Sequence, residues 1–239
     1  NGLGNEITFR IIDEYGSVDY IALEGPITLD RNLVVRGINL VSGAAIEYDY
    51  VQITVPEGIS AVFWEGTMRG GGGMEGGAFN NAGTLRCEHV AFSFSPADFG
   101  GAIHNEGMLT LDSCRFAGCS AEEAGGAICN LGTVKASNTS FQNCNAYRMG
   151  GGGVYNVGTF VAENCSISSC SSEGEVDWTY DEATDDWQSE ILVPGYGGFL
   201  CNEGSAVFNG GSAVNCSDTG GGQFCWNAED GVLRMNNMF

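Results

Sequence analysis

Arg69, Arg86 and Lys135 fall on one outward column of a repeating sequence, three residues past the last glycine of each repeat. His104, one of only two histidines, lies on a repeat between Arg86 and Lys135. Arg86, Lys135 and His104 are the residue types that a polysaccharide lyase or epimerase uses as base and as charge neutralisers. A basic ladder of this kind could line a groove for uronate chains. Thr110 interrupts it, however, and Glu88 and Asp112 on the next outward column partly cancel its charge. A second group comprises Trp178, Tyr180 and Trp187 with Asp181, Asp185 and Asp186, inside the stretch SSEGEVDWTYDEATDDWQSEILVPG (171–195). That stretch carries eight acidic residues and no basic one. Aromatic faces beside carboxylates suit sugars, Ca²⁺ or a basic protein partner. The same residues also fit a solvated hairpin whose tryptophans pack on the body of the protein. No Ser/His/Asp grouping and no phosphate-cradling loop stands out, so the expectation is a non-catalytic protein.

The element that must position these residues is the repeat itself. It reads GGAFNNAG from Gly76, GGAIHNEG from Gly100, GGAICNLG from Gly125, GGGVYNVG from Gly151 and GGFLCNEG from Gly197. A degenerate copy, GGQFCWNA, starts at Gly221. The starts lie 24, 25, 26, 46 and 24 residues apart, a period that marks a stacked repeat architecture. Around each final glycine, apolar columns such as Leu85, Leu109, Val134 and Phe160 alternate with polar ones. Period-two alternation is the mark of strands with one buried face. Three short strands per repeat, separated by Gly and Asn turns, predict an all-β parallel β-helix. The chain has room for roughly eight to ten coils of about 24 residues.

The reading gives one domain, 1–239. Residues 1–20 are expected to cap the N-terminal end, 21–75 to form irregular coils, and 76–239 to form regular coils interrupted by the insertion at 171–195. Ala61–Met68 lines up with Ala78–Leu85 as a worn copy. The stacked asparagines Asn81, Asn105, Asn130, Asn156 and Asn202 are expected to bond one another at a turn. The final GVLRMNNMF begins a coil and stops partway, which suggests continuation or assembly through that coil.

Composition narrows the partners. The formal net charge is −21, from 30 acidic and 9 basic residues. Nucleic acid and anionic lipid would be repelled by such a surface. Other protein chains or extracellular polysaccharide suit it better, and Ca²⁺ at the acidic insertion is the cofactor to test. No apolar run approaches the 18 or so residues of a transmembrane helix.

The GGAI-x-N phrases are followed by Phe116-Ala-Gly-Cys119 and Phe141-Gln-Asn-Cys144. Together they resemble the repeats of the polymorphic outer membrane proteins. More broadly, the chain from about Ile21 onward resembles the pectin-lyase-like right-handed parallel β-helix. That resemblance implies a fold. On activity it leaves two classes open, because the superfamily holds polysaccharide lyases, hydrolases and epimerases as well as adhesins and passenger domains.

Ten cysteines and three sequons point to a secretory route, with a secreted or cell-surface product. The sequons start at Asn138, Asn164 and Asn215; the first two share a column on adjacent coils, where two glycans would crowd. The cysteines also fall into columns. Stacked neighbours lie within disulfide range, which predicts Cys201–Cys225, Cys119–Cys144 and Cys170–Cys216. Free thiols acting as small apolar fillers fit the inner column equally well. Zinc is not expected, since no Cys-x-x-Cys occurs and a flat ladder does not make a tetrahedron.

Overall fold

The computed structural model describes residues 6–8, 21–23, 25–42, 52–181, 185–220 and 223–239. The chain forms an all-β parallel β-solenoid of about 7 turns, with about 26 residues per turn and no helix among the described residues. The turns are fewer than the eight to ten expected from length. The inserted residues leave the solenoid and add no coil, which accounts for part of the difference.

Each regular coil contributes to three sheets. The first stacks Leu33–Ser42, Ser60–Arg69, Thr84–Ser93, Met108–Asp112, Thr133–Ser137, Thr159–Ser168, Ser205–Val214 and Val232–Asn236 in parallel. The second stacks short strands, from Ile27–Thr28 and Ile53–Val55 through Phe79–Asn81 and Ile128–Asn130 to Cys225–Asn227. The third runs from Pro96–Phe99 through Ser120–Ala124, Asn145–Ala146 and Ser171–Ser172 to Ser217–Asp218.

The alternation in sequence becomes the inside and outside of this tube. Leu85, Leu109, Val134, Phe160 and Ala206 form one inward column, and Phe79, Ile103, Ile128, Val154 and Leu200 another, none more than 1% exposed. Phe92, Phe116 and Phe141 stack face to face, with centroids 4.6 and 4.9 Å apart. Fully burying side chains of this size contributes about 1.5–3 kcal/mol each.

Turns are built from polar ladders and close backbone approach. Asn81 Nδ2 donates to Asn105 Oδ1 at 2.7 Å, Asn105 to Asn130 at 2.8 Å and Asn130 to Asn156 at 2.7 Å. The ladder continues from Asn156 to Asn202 and on to Asn227, at 2.7 and 2.6 Å. Each inner asparagine also donates to turn carbonyls; Asn130, for example, reaches Gly132 O at 3.3 Å and Thr159 O at 3.0 Å. The glycine after each asparagine is required by contact, because a Cβ at Gly132 would overlap the carbonyl oxygen of Gly107 one coil back.

Corners of the long sheet use left-handed backbone. One corner column holds Gly37, Glu65, His89, Ser113, Asn138, Asn164, Gly210 and Asn237, all at φ between 50° and 72°. A second holds Gly70, Phe94, Gly118, Asn143, Ser169 and Asn215, at φ between 51° and 72°. Gly and Asn adopt this conformation readily, whereas other residues pay about 1–2 kcal/mol.

Three alignments made from sequence are corrected by register. Ser60 pairs with Thr84 and Arg69 with Ser93, so Ala61–Met68 matches Leu85–Phe92 instead of Ala78–Leu85. The true counterpart of Phe79–Asn81 is Ile53–Val55. Arg69 therefore leaves the Arg86 column. The last copy is displaced by one residue: Asn202 pairs with Asn227, which puts Cys225 opposite Leu200 and Trp226 opposite Cys201.

At the N-terminal end, Glu6–Thr8 and Ile21–Leu23 each pair in parallel with Leu33–Ser42. The rest of the 1–20 segment expected to form a cap lies outside the described residues.

Candidate functional site

The insertion is an antiparallel hairpin of Glu175–Asp181 and Asp186–Val193. Ser171–Ser172 remains in the third sheet, so the departure from the coil is narrower than 171–195. Period-two alternation splits the hairpin into two faces. Tyr180 sits opposite Trp187, and their rings lie 5.4 Å apart at 58°. Both are exposed, at 47% and 60%, as is Ile191 on the same face. More than half of Trp187 is thus open to solvent. On the opposite face Asp177 pairs across the strands with Glu190. Like charges directly opposite destabilise a strand pair. Both are exposed, and neither takes part in an ion pair among the described residues. Asp185 accepts a hydrogen bond from the Tyr180 hydroxyl at the tip. The side chains of Trp178, Asp181 and Asp186 lie outside the described residues. Among the described residues, no group of three or more His, Cys, Asp or Glu converges into a cation site, at the hairpin or elsewhere.

The basic column is weaker than its sequence suggests. Arg86, Thr110 and Lys135 are in register, but Val62 and Val161 flank them on the coils beyond. Arg86 Nε donates to Glu88, which ties up that cation.

His104 is 5% exposed, and neither ring nitrogen has a hydrogen-bond partner. It lies on the outer face of the second sheet, in register with Asn80 and Cys129. The Gly-Gly pair explains how an outward column becomes buried. The first glycine is left-handed (Gly100 φ 66°, Gly125 φ 70°), and a Cβ on the second would overlap backbone oxygens. The chain folds back sharply there. Cys129, Tyr155 and Cys201 consequently pack with Ala124, Phe99, Tyr196 and Trp226 in a small external cluster. Burial lowers the His104 pKa from its usual 6.5, against the pull of Glu75 and Glu106. His104 is then neutral at pH 7 and offers no cation to a uronate. Burial pushes the Cys129 thiol up to about 12, with Glu75 adding to the shift, so it is no thiolate nucleophile.

A pH dependence follows. A histidine whose folded pKa is lowered contributes stability that is complete above the unfolded value of about 6.5 and lost as pH falls below it. Urea midpoints measured from pH 8 to pH 5 should fall with pH, and His104→Gln should flatten that slope. An identical slope in the variant would contradict this placement.

All ten cysteines are free thiols. Cys119, Cys144 and Cys170, with the half-buried Cys216, form a column of adjacent thiols, each of which donates to a backbone carbonyl: Phe92, Gln142, Ser168 and Val214 respectively. Its thiol neighbours Cys119 and Cys170, together with burial, hold Cys144 well above the ordinary thiol range. The neighbours proposed for Cys119–Cys144 and Cys170–Cys216 are therefore adjacent, as unlinked thiols. The Cys201–Cys225 pairing is overturned. The one-residue displacement of the last copy sends Cys201 to the outer cluster and Cys225 to the inner core, and a slip of one reverses a side chain's face.

Asn138, Asn164 and Asn215 are exposed, at φ 50°, 52° and 55°. The left-handed corner is reason enough for asparagine at all three positions. Sequence reasoning missed Phe94, a bulky residue on a corner column otherwise filled by Gly, Asn and Ser. That break in the column was the available signal.

Compared with protein-family models, with curated proteins and with solved structures, the chain matches none. Function must be argued from its own residues.

Proposed function

We propose that this chain is a non-catalytic binding scaffold of the cell exterior, in which the solenoid holds the 175–193 hairpin out towards a cationic protein partner. The observation that carries the reading is the two-faced hairpin. Exposed Tyr180, Trp187 and Ile191 provide apolar anchors on one side. The cross-strand Asp177 and Glu190 pair on the other side meets no cation among the described residues, and its repulsion would be relieved by a cation from a partner. Aromatic anchors ringed by charge are the usual centres of protein interfaces. The exposed sequon asparagines support a secreted or cell-surface location. Kinship with the pectin-lyase-like β-helices belongs to the same proposal, supported by the three-sheet parallel coil. Catalysis by Arg86, Lys135 and His104 draws no support from a paired arginine and a buried neutral imidazole.

A Lys/Arg-rich peptide and a Glu-rich peptide of equal length test the reading by fluorescence anisotropy. The basic peptide should bind, more weakly at higher salt. Tyr180→Ala with Trp187→Ala leaves every carboxylate in place and should weaken binding by about tenfold or more. Unchanged affinity in that double variant would reduce the interaction to diffuse charge attraction and overturn the hairpin's role.

A further inference from the structure

We propose that Phe94, Arg69 and Arg115 form a binding site for an acidic saccharide unit on the flank of the solenoid, separate from the hairpin. The first observation is conformational. Phe94 holds φ 51° in a column where the other coils place Gly70, Gly118, Asn143, Ser169 and Asn215. A bulky residue in left-handed backbone is an outlier, and such strain concentrates at functional positions. Its ring does not repay the strain by burial, since Phe94 is 64% exposed. It lies instead over the next coil, where a Cβ at Gly118 would press on it at 3.2 Å.

The second observation is charge. Arg69, one coil before, holds its guanidinium 5.8 Å from the centre of the Phe94 ring. Arg115, one coil after, lines a shallow cleft together with Phe94, and its Nη2 donates to Gln142 Oε1 at 3.0 Å. Arg31, Arg86 and Arg148 are each held by a carboxylate. Among the described residues Arg69 and Arg115 form no ion pair, although the chain carries a net charge of −21. No acidic residue lines the cleft; its remaining polar side chains are Ser93, Gln142 and Asn143.

These groups select a ligand class. A flat exposed aromatic ring suits the apolar face of a sugar ring. Guanidinium forks suit a carboxylate or a sulfate. Neutral amides and a hydroxyl suit sugar hydroxyls. An extended acidic peptide fits less well, because the strands beneath the cleft are paired on both sides and offer no edge for strand addition.

Calorimetry on the full chain tests the site with four probes: a glucuronate tetrasaccharide, a sulfated glucan tetrasaccharide, an uncharged glucan tetrasaccharide and a tetraglutamate peptide. One or both acidic sugars should bind with one-to-one stoichiometry, and the stronger of the two identifies the anion. The uncharged sugar and the peptide should bind at least about tenfold more weakly. Phe94→Gly suits left-handed backbone, so it should leave the melting temperature unchanged or raised while weakening the acidic sugar by about tenfold or more. Arg115→Gln should weaken it similarly, and Arg86→Gln should have no effect. Phe94→Gly should also leave basic-peptide binding at the hairpin intact, so this site and the hairpin can fail independently. Absence of saturable sugar binding, equal binding of tetraglutamate, or full affinity in Phe94→Gly would each overturn the proposal.

Discussion

Asn130→Ala is expected to destabilise the fold by about 3–5 kcal/mol, read as a loss of unfolding free energy in urea. Asn130 is fully buried at the centre of the asparagine ladder. Its Oδ1 accepts from Asn105, and its Nδ2 donates to Asn156 Oδ1 and to the carbonyls of Gly132 and Thr159. Truncation removes all of these and leaves Asn156 Oδ1 as a new buried acceptor without a donor. Each such orphan costs about 1–3 kcal/mol. Asn81 supplies the control. Its Oδ1 already lacks a partner, because Val55 stands in the preceding coil. Asn81→Ala moves the orphan one coil along instead of creating a second, and should cost markedly less. Equal losses at the two positions would mean that the ladder is not the cooperative unit described here.

Phe141→Ala should cost a comparable amount, about 3–5 kcal/mol. The ring is 1% exposed, stacks on Phe116 at 4.9 Å and meets the edge of Phe199 at 5.1 Å. Coils above and below are fixed by backbone ladders and by glycine contacts that leave no slack, so the cavity cannot collapse easily. Repeat proteins also share stability between neighbouring units, so loss at a central coil should be felt by the coils on both sides. Hydrogen exchange should show faster amide exchange in Met108–Asp112 and Thr159–Ser168 than in the parent protein. A loss below about 1 kcal/mol would mean a core looser than the ring geometry shows.

The scaffold was legible in sequence because it is periodic. Phe79 to Leu200, Leu85 to Ala206 and Asn81 to Asn202 are columns in the text and columns in space. Legibility failed where the period slipped. Gly66 looks like a repeat glycine, yet Ser60–Arg69 is the long strand and Gly66 pairs with Val90. The last copy carries one residue more between its cysteine and its asparagine, Cys225-Trp226-Asn227 against Cys201-Asn202, and that single step reversed Cys225. Burial of His104 was unreadable too: the Gly-Gly bend covers an outward column, and period-two alternation carries no information on bends. The hairpin was visible as a break in the repeat. Its two faces were implicit in the alternation of Asp177, Thr179 and Tyr180, but only pairing of Tyr180 with Trp187 assembled them.

Excision of the hairpin tests the functional proposal most directly. Its stems meet at the solenoid, where Gly174 abuts Gly195, so residues 175–193 can be replaced by a short glycine link. The excised protein should keep its β spectrum and lie within about 1 kcal/mol of the parent in stability, since no core residue is removed. It should lose binding to the basic peptide by at least about tenfold. Retention of full affinity after excision would contradict the claim that the hairpin is the binding element.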